Sequence, residues 1–230
     1  ADGTYDKANS AYATGGAEAA INMLNKNLDL DITDYVTVNF LALADAVDLL
    51  GGIELDLTEE EVVHMNNYCV ETSEITGKDY ERIEPEVAGT YQLNGVQAVS
   101  YARIRYTAGG DLARAGRQRE VLEKIFEKGK KNPLKMMSVM DEVLPQVKTN
   151  MSQDELFDMF LSVFKYDIKD QQGFPWDQKE LRYYGTYYGF PTTLKENAIR
   201  AHKYLFGTSD YQVSDELSRI NQKIIYRAGY

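Results

Sequence analysis

Apolar residues recur at helical spacing through residues 17–30, at Ala20, Ile21, Leu24 and Leu28, directly after Gly15-Gly16. The pattern predicts a loop entering an amphipathic helix. Tyr35 to Phe40 (YVTVNF) alternates as a strand does. Leu41 to Leu50 (LALADAVDLL) returns to helical spacing and stops at Gly51-Gly52, where glycine supplies the left-handed conformation that ends helices. In Ile53 to Leu57 (IELDL), the residues Ile53, Leu55 and Leu57 share one face of a second strand. Helix, strand, helix, strand predicts an α/β fold.

Residues 58–89 are polar and acid-rich. Thr58 followed by Glu61 is a capping-box pattern that predicts a short helix, and the remainder reads as an excursion from the sheet, of a length more typical of a functional flap than of an idle loop. Asn94-Gly-Val-Gln97 resembles another helix start, with Val96, Val99 and Arg103 on one face. A strand reading competes; it would put Arg103 and Arg105 on one side, whereas a helix that uncoils at its end, the favoured reading, sends them apart. After the small loop Thr107 to Gly110, Asp111 is placed as N-cap or first-turn acid of a long helix reaching about Lys130. Its apolar stripe is Val121, Leu122, Ile125 and Phe126. Extended back by three and four residues, the stripe passes through Gln118, Arg117 and Arg114, so the arginines continue the buried face.

Further on, helices are predicted over Leu134 to Leu144 and, from the capping pattern Ser152 to Glu155, over Met151 to Phe164. The aromatic, turn-rich GFPWDQKELRYYGTYYGFP reads as strand with loops, and Thr193 to Phe206 and Asp215 to Tyr226 are helical by spacing. A single domain over 1–230 is the default, with a subdivision near residue 131.

Charge sharpens the picture. The chain has 230 residues and a formal net charge of -11. Such acidity argues against general nucleic-acid binding, since neutralising many phosphates takes net or segregated positive charge. Yet Arg103 to Arg119, RIRYTAGGDLARAGRQR, holds five arginines. Arg119 lies off the apolar stripe beside Glu120 and Glu123 and reads as solvent-facing. Arg114 and Arg117 lie on the face that turns inward, and a buried guanidinium requires an anion. Asp111, three residues before Arg114, cannot answer Arg103, Arg105, Arg114 and Arg117 together. The cluster therefore reads as a site for phosphate or pyrophosphate, which planar guanidinium forks match bidentately.

Five ordered stretches, Lys7 to Gly16, Tyr35 to Phe40, Asp48 to Ile53, Leu93 to Arg105 and Gly110 to Gln118, resemble the LytR-CpsA-Psr family of bacterial cell-envelope proteins. The resemblance runs from Lys7 to about Lys131 and is much weaker beyond Pro133. It implies a central mixed β-sheet sandwiched between helices, with a hydrophobic pocket for a lipid. It implies transfer of a glycopolymer, such as teichoic acid or capsule, from a polyprenyl-pyrophosphate carrier to peptidoglycan, at the extracellular face of the membrane and behind an N-terminal transmembrane anchor. Arg103, Arg105, Arg114 and Arg117 would hold the pyrophosphate, with Asp111 and Gln118 ordering them and with Arg103, Arg105, Asp111 and Arg114 taking part in the catalysis. Mg2+ is implied as cofactor, its acidic ligands and a further arginine lying upstream of the Lys7 motif. On that ground the chain is expected to be a fragment. The rival reading is a non-catalytic module that captures polyprenyl pyrophosphate or wall polymer. The transcriptional-attenuator label attached to the family finds no basic recognition helix here.

Other residues carry weaker signals. His64 and His202 stand far apart without a ligand pattern, Cys69 is alone, and Glu59, Glu60 and Glu61 read as a solvated helix start. Trp176 with the tyrosines at 183, 184, 187 and 188 offers either a sugar-stacking platform or strand packing.

Overall fold

The computed structural model describes residues 6–183 and 185–229. In chain order the elements are α1 (Ser10–Leu28), β1 (Val36–Thr37), α2 (Phe40–Leu49), β2 (Ile53–Leu57), α3 (Glu59–Thr76), β3 (Gly89–Leu93), α4 (Gly95–Arg103) and α5 (Gly110–Lys131). They continue with α6 (Pro133–Val143), β4 (Lys148–Thr149), α7 (Gln153–Ser162), β5 (Gln178–Tyr183), β6 (Thr186–Pro191), α8 (Leu194–Phe206) and α9 (Asp215–Ala228). The mixed α/β class expected from the pattern holds. No helix among the described residues is long and apolar enough to cross a membrane.

Contacts divide the chain into two compact units, residues 36–173 and a second made of residues 1–35 with 174–230. The subdivision expected near residue 131 does not coincide with this division, because α6 packs on α2 and α5 of the 36–173 unit. Its apolar side chains Met136, Val139, Met140 and Val143 close a core with Ala42, Ala46 and Leu50.

A second core of the same unit collects the inward face of β2 (Ile53, Leu55, Leu57), the buried stripe of α3 (Val62, Met65, Cys69), Val96 and Tyr101 of α4, Ile104, and Val121 of α5. Gly95 is what lets α4 start against α2. A Cβ there would stand 2.3 Å from the carbonyl oxygen of Ala44, and the Gly95 N–H donates to Asp48 Oδ1 at 2.6 Å. Asn94 and Gln97 complete a capping box at that end, so the helix reading of this stretch prevails over the strand.

Three expectations shift. The strand at YVTVNF is only Val36–Thr37, because the Asn39 side chain accepts from the Ala42 N–H and starts α2 there. The helix after Thr58 is long, running 18 residues to Gly77 in the left-handed region at φ 69°; buried Asn66, Thr72 and Thr76 interrupt its apolar stripe and hide its period from the sequence. The central mixed sheet gives way, among the described residues, to three separate antiparallel pairs: β1 with β4, β2 with β3, and β5 with β6. For β2 and β3 the reason is local. The segment after α3 folds back along that helix, tied by Asn66 to both the carbonyl and the N–H of Ile83, and so returns Gly89 opposite Leu57.

The other unit is built on Leu28 of α1, Leu194 and Ala198 of α8 and Leu217 of α9. Asp29, at φ 49°, accepts from the N–H and hydroxyl of Ser214, the N-cap of α9, and from the Tyr211 hydroxyl. His202 is buried, stacked on Tyr211, with Nε2 at 2.8 Å from the Leu28 carbonyl, a packing role. In α1, Gly15 and Gly16 leave helical geometry, which is the break the sequence predicts there.

Candidate functional site

Sequence places four arginines around one short connection, and the fold gives them three different environments. α4 ends at Arg103 with Ile104 extended behind it; α5 begins at Gly110 after Gly109, which sits at φ 89° and carries no capping side chain. The six residues between the helices carry Arg105 and Thr107. An uncapped helix start leaves backbone N–H groups pointing outward with the positive end of the helix dipole behind them.

At that start Asp111 draws two guanidinium groups together. Arg105 donates to it from Nε to Oδ1 at 3.0 Å and from Nη2 to Oδ2 at 3.3 Å, and Arg114 Nη2 lies 3.3 Å from Oδ1. Arg105 and Asp111 are more than half exposed and Arg114 about a quarter. This is an open cationic pair with one carboxylate between, capable of accepting an anion from solvent.

Arg103 is held differently. Its guanidinium lies over the rings of Phe40, at 4.8 Å, and Tyr68, at 5.5 Å. Nη1 donates to Thr72 Oγ1 at 2.8 Å and Nη2 to Glu71 Oε2 at 2.6 Å. Glu71 is mostly exposed, so Arg103 has a solvent-facing acid of α3 beside it. Phe40 is itself an exposed apolar residue, as are Val36, Val38 and Leu41 near it in sequence.

Arg117 is buried, with all three nitrogens in use. Nε donates to Glu61 at 2.8 Å, Nη1 to the Ile104 carbonyl at 3.3 Å and Nη2 to Thr107 Oγ1 at 2.6 Å. The Tyr101 ring stacks beneath it at 5.8 Å, and the Tyr101 hydroxyl donates to Glu120. Burial and that bond both push the Tyr101 hydroxyl far up, so it stays a donor. Burial alone would raise the Glu61 carboxyl; the Thr58 N–H and the Arg117 guanidinium outweigh it and hold the carboxyl below its usual value.

Two sequence expectations are corrected by this geometry. Glu61 is no solvated acid but the partner of a buried guanidinium. The inference that protein carboxylates could not answer four arginines also fails, because α3 supplies Glu61 and Glu71 beside Asp111. A signal existed: Glu61 stands four residues before Met65 and continues the buried stripe of α3, the same reasoning that flags Arg117 on α5. Gln118, expected to order the arginines, is exposed. Arg119 lies on another face, in a polar cleft of about 330 Å³ with Glu120, Glu123, Lys169 and Gln171. That cleft is not an apolar tunnel.

Among the described residues no group of three or more His, Cys, Asp or Glu side chains could cage a metal ion. Glu61, Glu71 and Asp111 are each taken by a guanidinium, so the donor set present does not fit Mg2+. Of the aromatic residues offered as a sugar platform, Tyr184 lies outside the described residues, and Trp176 meets Arg200 on its face and Tyr204 at its edge.

Comparison with known proteins gives a consistent assignment. The LytR_cpsA_psr family profile matches residues 1–202. A polyisoprenyl-teichoic acid–peptidoglycan teichoic acid transferase, TagU of Enterococcus faecalis, is 36% identical over 157 residues, 68% of this chain. The chain spans 45% of that relative's length. The crystal structure of a transcriptional regulator from Enterococcus faecalis superposes with TM-score 0.65 at 28% identity, covering 97% of this chain and 76% of that one. TagT, solved bound to LI-WTA, shares the fold at TM-score 0.61 and 21% identity, with 100% and 74% of the two chains covered.

Proposed function

The chain belongs to the LytR-CpsA-Psr family, and on that premise we propose that it moves a glycopolymer, teichoic acid or capsular polysaccharide, from a polyprenyl-pyrophosphate carrier to peptidoglycan. The observation that carries the reading is the Arg105–Asp111–Arg114 cluster at an uncapped helix start, with Arg103 against the exposed ring of Phe40. A diphosphate with a hydrocarbon tail has this combination of charge and apolar surface. The transferase name carried by the TagU relative agrees with it.

In the reaction an acceptor hydroxyl of peptidoglycan attacks the phosphorus nearer the polymer. A new oxygen–phosphorus bond forms there, the bond from that phosphorus to the bridging oxygen breaks, the hydroxyl proton leaves to a base, and polyprenyl phosphate departs. Charge accumulates on the non-bridging and bridging oxygens, where guanidinium groups stabilise it more strongly than in the ground state. Arg105 and Arg114 are the groups free enough to do this, with Asp111 keeping their forks aligned until the anion arrives. Arg103 supplies a third charge at the apolar side. No step here draws on Mg2+. The reading puts the work at the extracellular face of the cell membrane, with the transmembrane anchor that the family resemblance implies.

The test uses farnesyl diphosphate as a water-soluble probe and a polyprenyl-diphosphate oligosaccharide with peptidoglycan fragments as substrates. Replacing Arg103 and Arg114 together by alanine is expected to weaken probe binding by more than about 100-fold, since each charge-assisted contact is worth about 1.5–3 kcal/mol. Unchanged affinity removes the site assignment. Tight binding without polymer transfer leaves the capture module as the function.

A further inference from the structure

We propose that Glu61 and Arg117 are a positioning pair that sets the reach of Arg105, and that Arg117 itself makes no contact with the pyrophosphate. The proposal rests on the preceding reading of the site. Arg117 is one of the four arginines of the cluster by sequence, yet its guanidinium is buried and faces three protein acceptors. Two of these acceptors flank Arg105. The Ile104 carbonyl is one residue before it and the Thr107 hydroxyl two residues after, so one planar group fixes both ends of the short segment from which Arg105 projects. The third acceptor, Glu61, is on α3, 56 residues away in sequence.

Glu61 is itself immobilised. Its Oε2 accepts from the Thr58 N–H at 3.1 Å and hydroxyl at 3.0 Å, leaving Oε1 aimed at Arg117. The capping box therefore presents a rigid carboxylate rather than a swinging one. A guanidinium held from behind by such a group is fixed in plane, and the plane decides where Ile104 and Thr107 stand. Separating Glu61 from Arg117 would leave the Arg117 charge buried and uncompensated, so both side chains stay committed to this arrangement. The open half of the site needs that arrangement, because Arg105 is exposed and its one described acidic partner, Asp111, belongs to the next element. The residue missing from a purely sequence-based site is thus Glu61, acting through Arg117 on Arg105.

The experiment reads the segment and the ligand separately in the full chain. In Glu61→Gln, amide hydrogen exchange of residues 104–112 is expected to rise by about tenfold or more while residues 95–102 of α4 stay protected, the signature of a local opening. Farnesyl diphosphate affinity is expected to fall by about tenfold, with recovery in Glu61→Asp. In an Arg105→Ala background the same substitution is expected to cost almost nothing further, because its effect passes through Arg105. Thr107→Val removes one anchor while leaving the Glu61–Arg117 ion pair in place, and is expected to reproduce both effects, which carries the test if Glu61→Gln does not fold. Unchanged exchange at 104–112, or a full affinity loss in the Arg105→Ala background, overturns the positioning role. Localised exchange in a protein that never binds farnesyl diphosphate supports the clamp and removes the pyrophosphate reading instead.

Discussion

Arg114 and Arg117 stand three residues apart on one helix, and the fold uses them in opposite ways. Arg114 shares an exposed carboxylate with Arg105 and keeps part of its fork in water. Arg117 is enclosed by Glu61, Thr107, the Ile104 carbonyl and the Tyr101 ring. The same type of side chain is therefore partly open in one place and fully engaged in the other. The difference is the neighbouring surface: Arg117 meets Glu61 of α3, Tyr101 of α4 and the 104–107 segment, whereas Arg114 pairs with Asp111 in the first turn of its own helix.

The contrast breaks most sharply on stability. Arg117→Met leaves the Glu61 carboxylate buried without its counter-charge and is expected to cost about 3 kcal/mol in urea unfolding. Arg114→Met is expected to stay within about 0.5 kcal/mol, as an exposed pair should. Ligand affinity should give the reverse order for direct contact: Arg114→Met is expected to weaken farnesyl diphosphate binding by roughly 10- to 100-fold with the fold intact, measured by calorimetry.

Acid separates the two regions next. The Glu61 carboxyl is depressed below its usual 4.5, so the stability it contributes is complete above that pH and is lost as pH falls through the lower, folded-state value. The stability gap between the unaltered protein and Glu61→Gln is therefore expected to narrow only below about pH 4.5. Unfolding curves at several pH values measure it; a gap constant down to pH ~3 would detach Glu61 from the clamp. The smallest effect concerns Arg103. Its exposed partner Glu71 competes with an incoming phosphate, so Glu71→Gln is expected to tighten probe binding by about two- to fivefold, the worth of one exposed pair.

The helices were legible wherever a cap or a turn residue marked them. Thr58 with Glu61, Asn94 with Gln97 and Ser152 with Glu155 all form the reciprocal pairs their spacing predicts. The long α3 escaped because Asn66, Thr72 and Thr76 sit in its buried stripe, Asn66 and Thr72 satisfied by partners that only the folded chain brings near and Thr76 by the Thr72 carbonyl one turn back. At the site, the inward turn of Arg117 could be read from the stripe through Val121. The inward turn of Glu61 could be read in the same way from Met65, but its pairing with Arg117 could not, since no local periodicity relates residue 61 to residue 117.

The sequence by itself determined the family, the position of the arginine-rich connection between two helices, and the excess of positive charge there, because helix period and capping act within about four residues. The tertiary structure decided which arginines are free. That outcome depends on α3 carrying Glu61 and Glu71 across to α5 and α4, contacts closed only after the chain between them has folded, and on burial, which makes an unpaired charge intolerable at Arg117 and a partly paired one acceptable at Arg114.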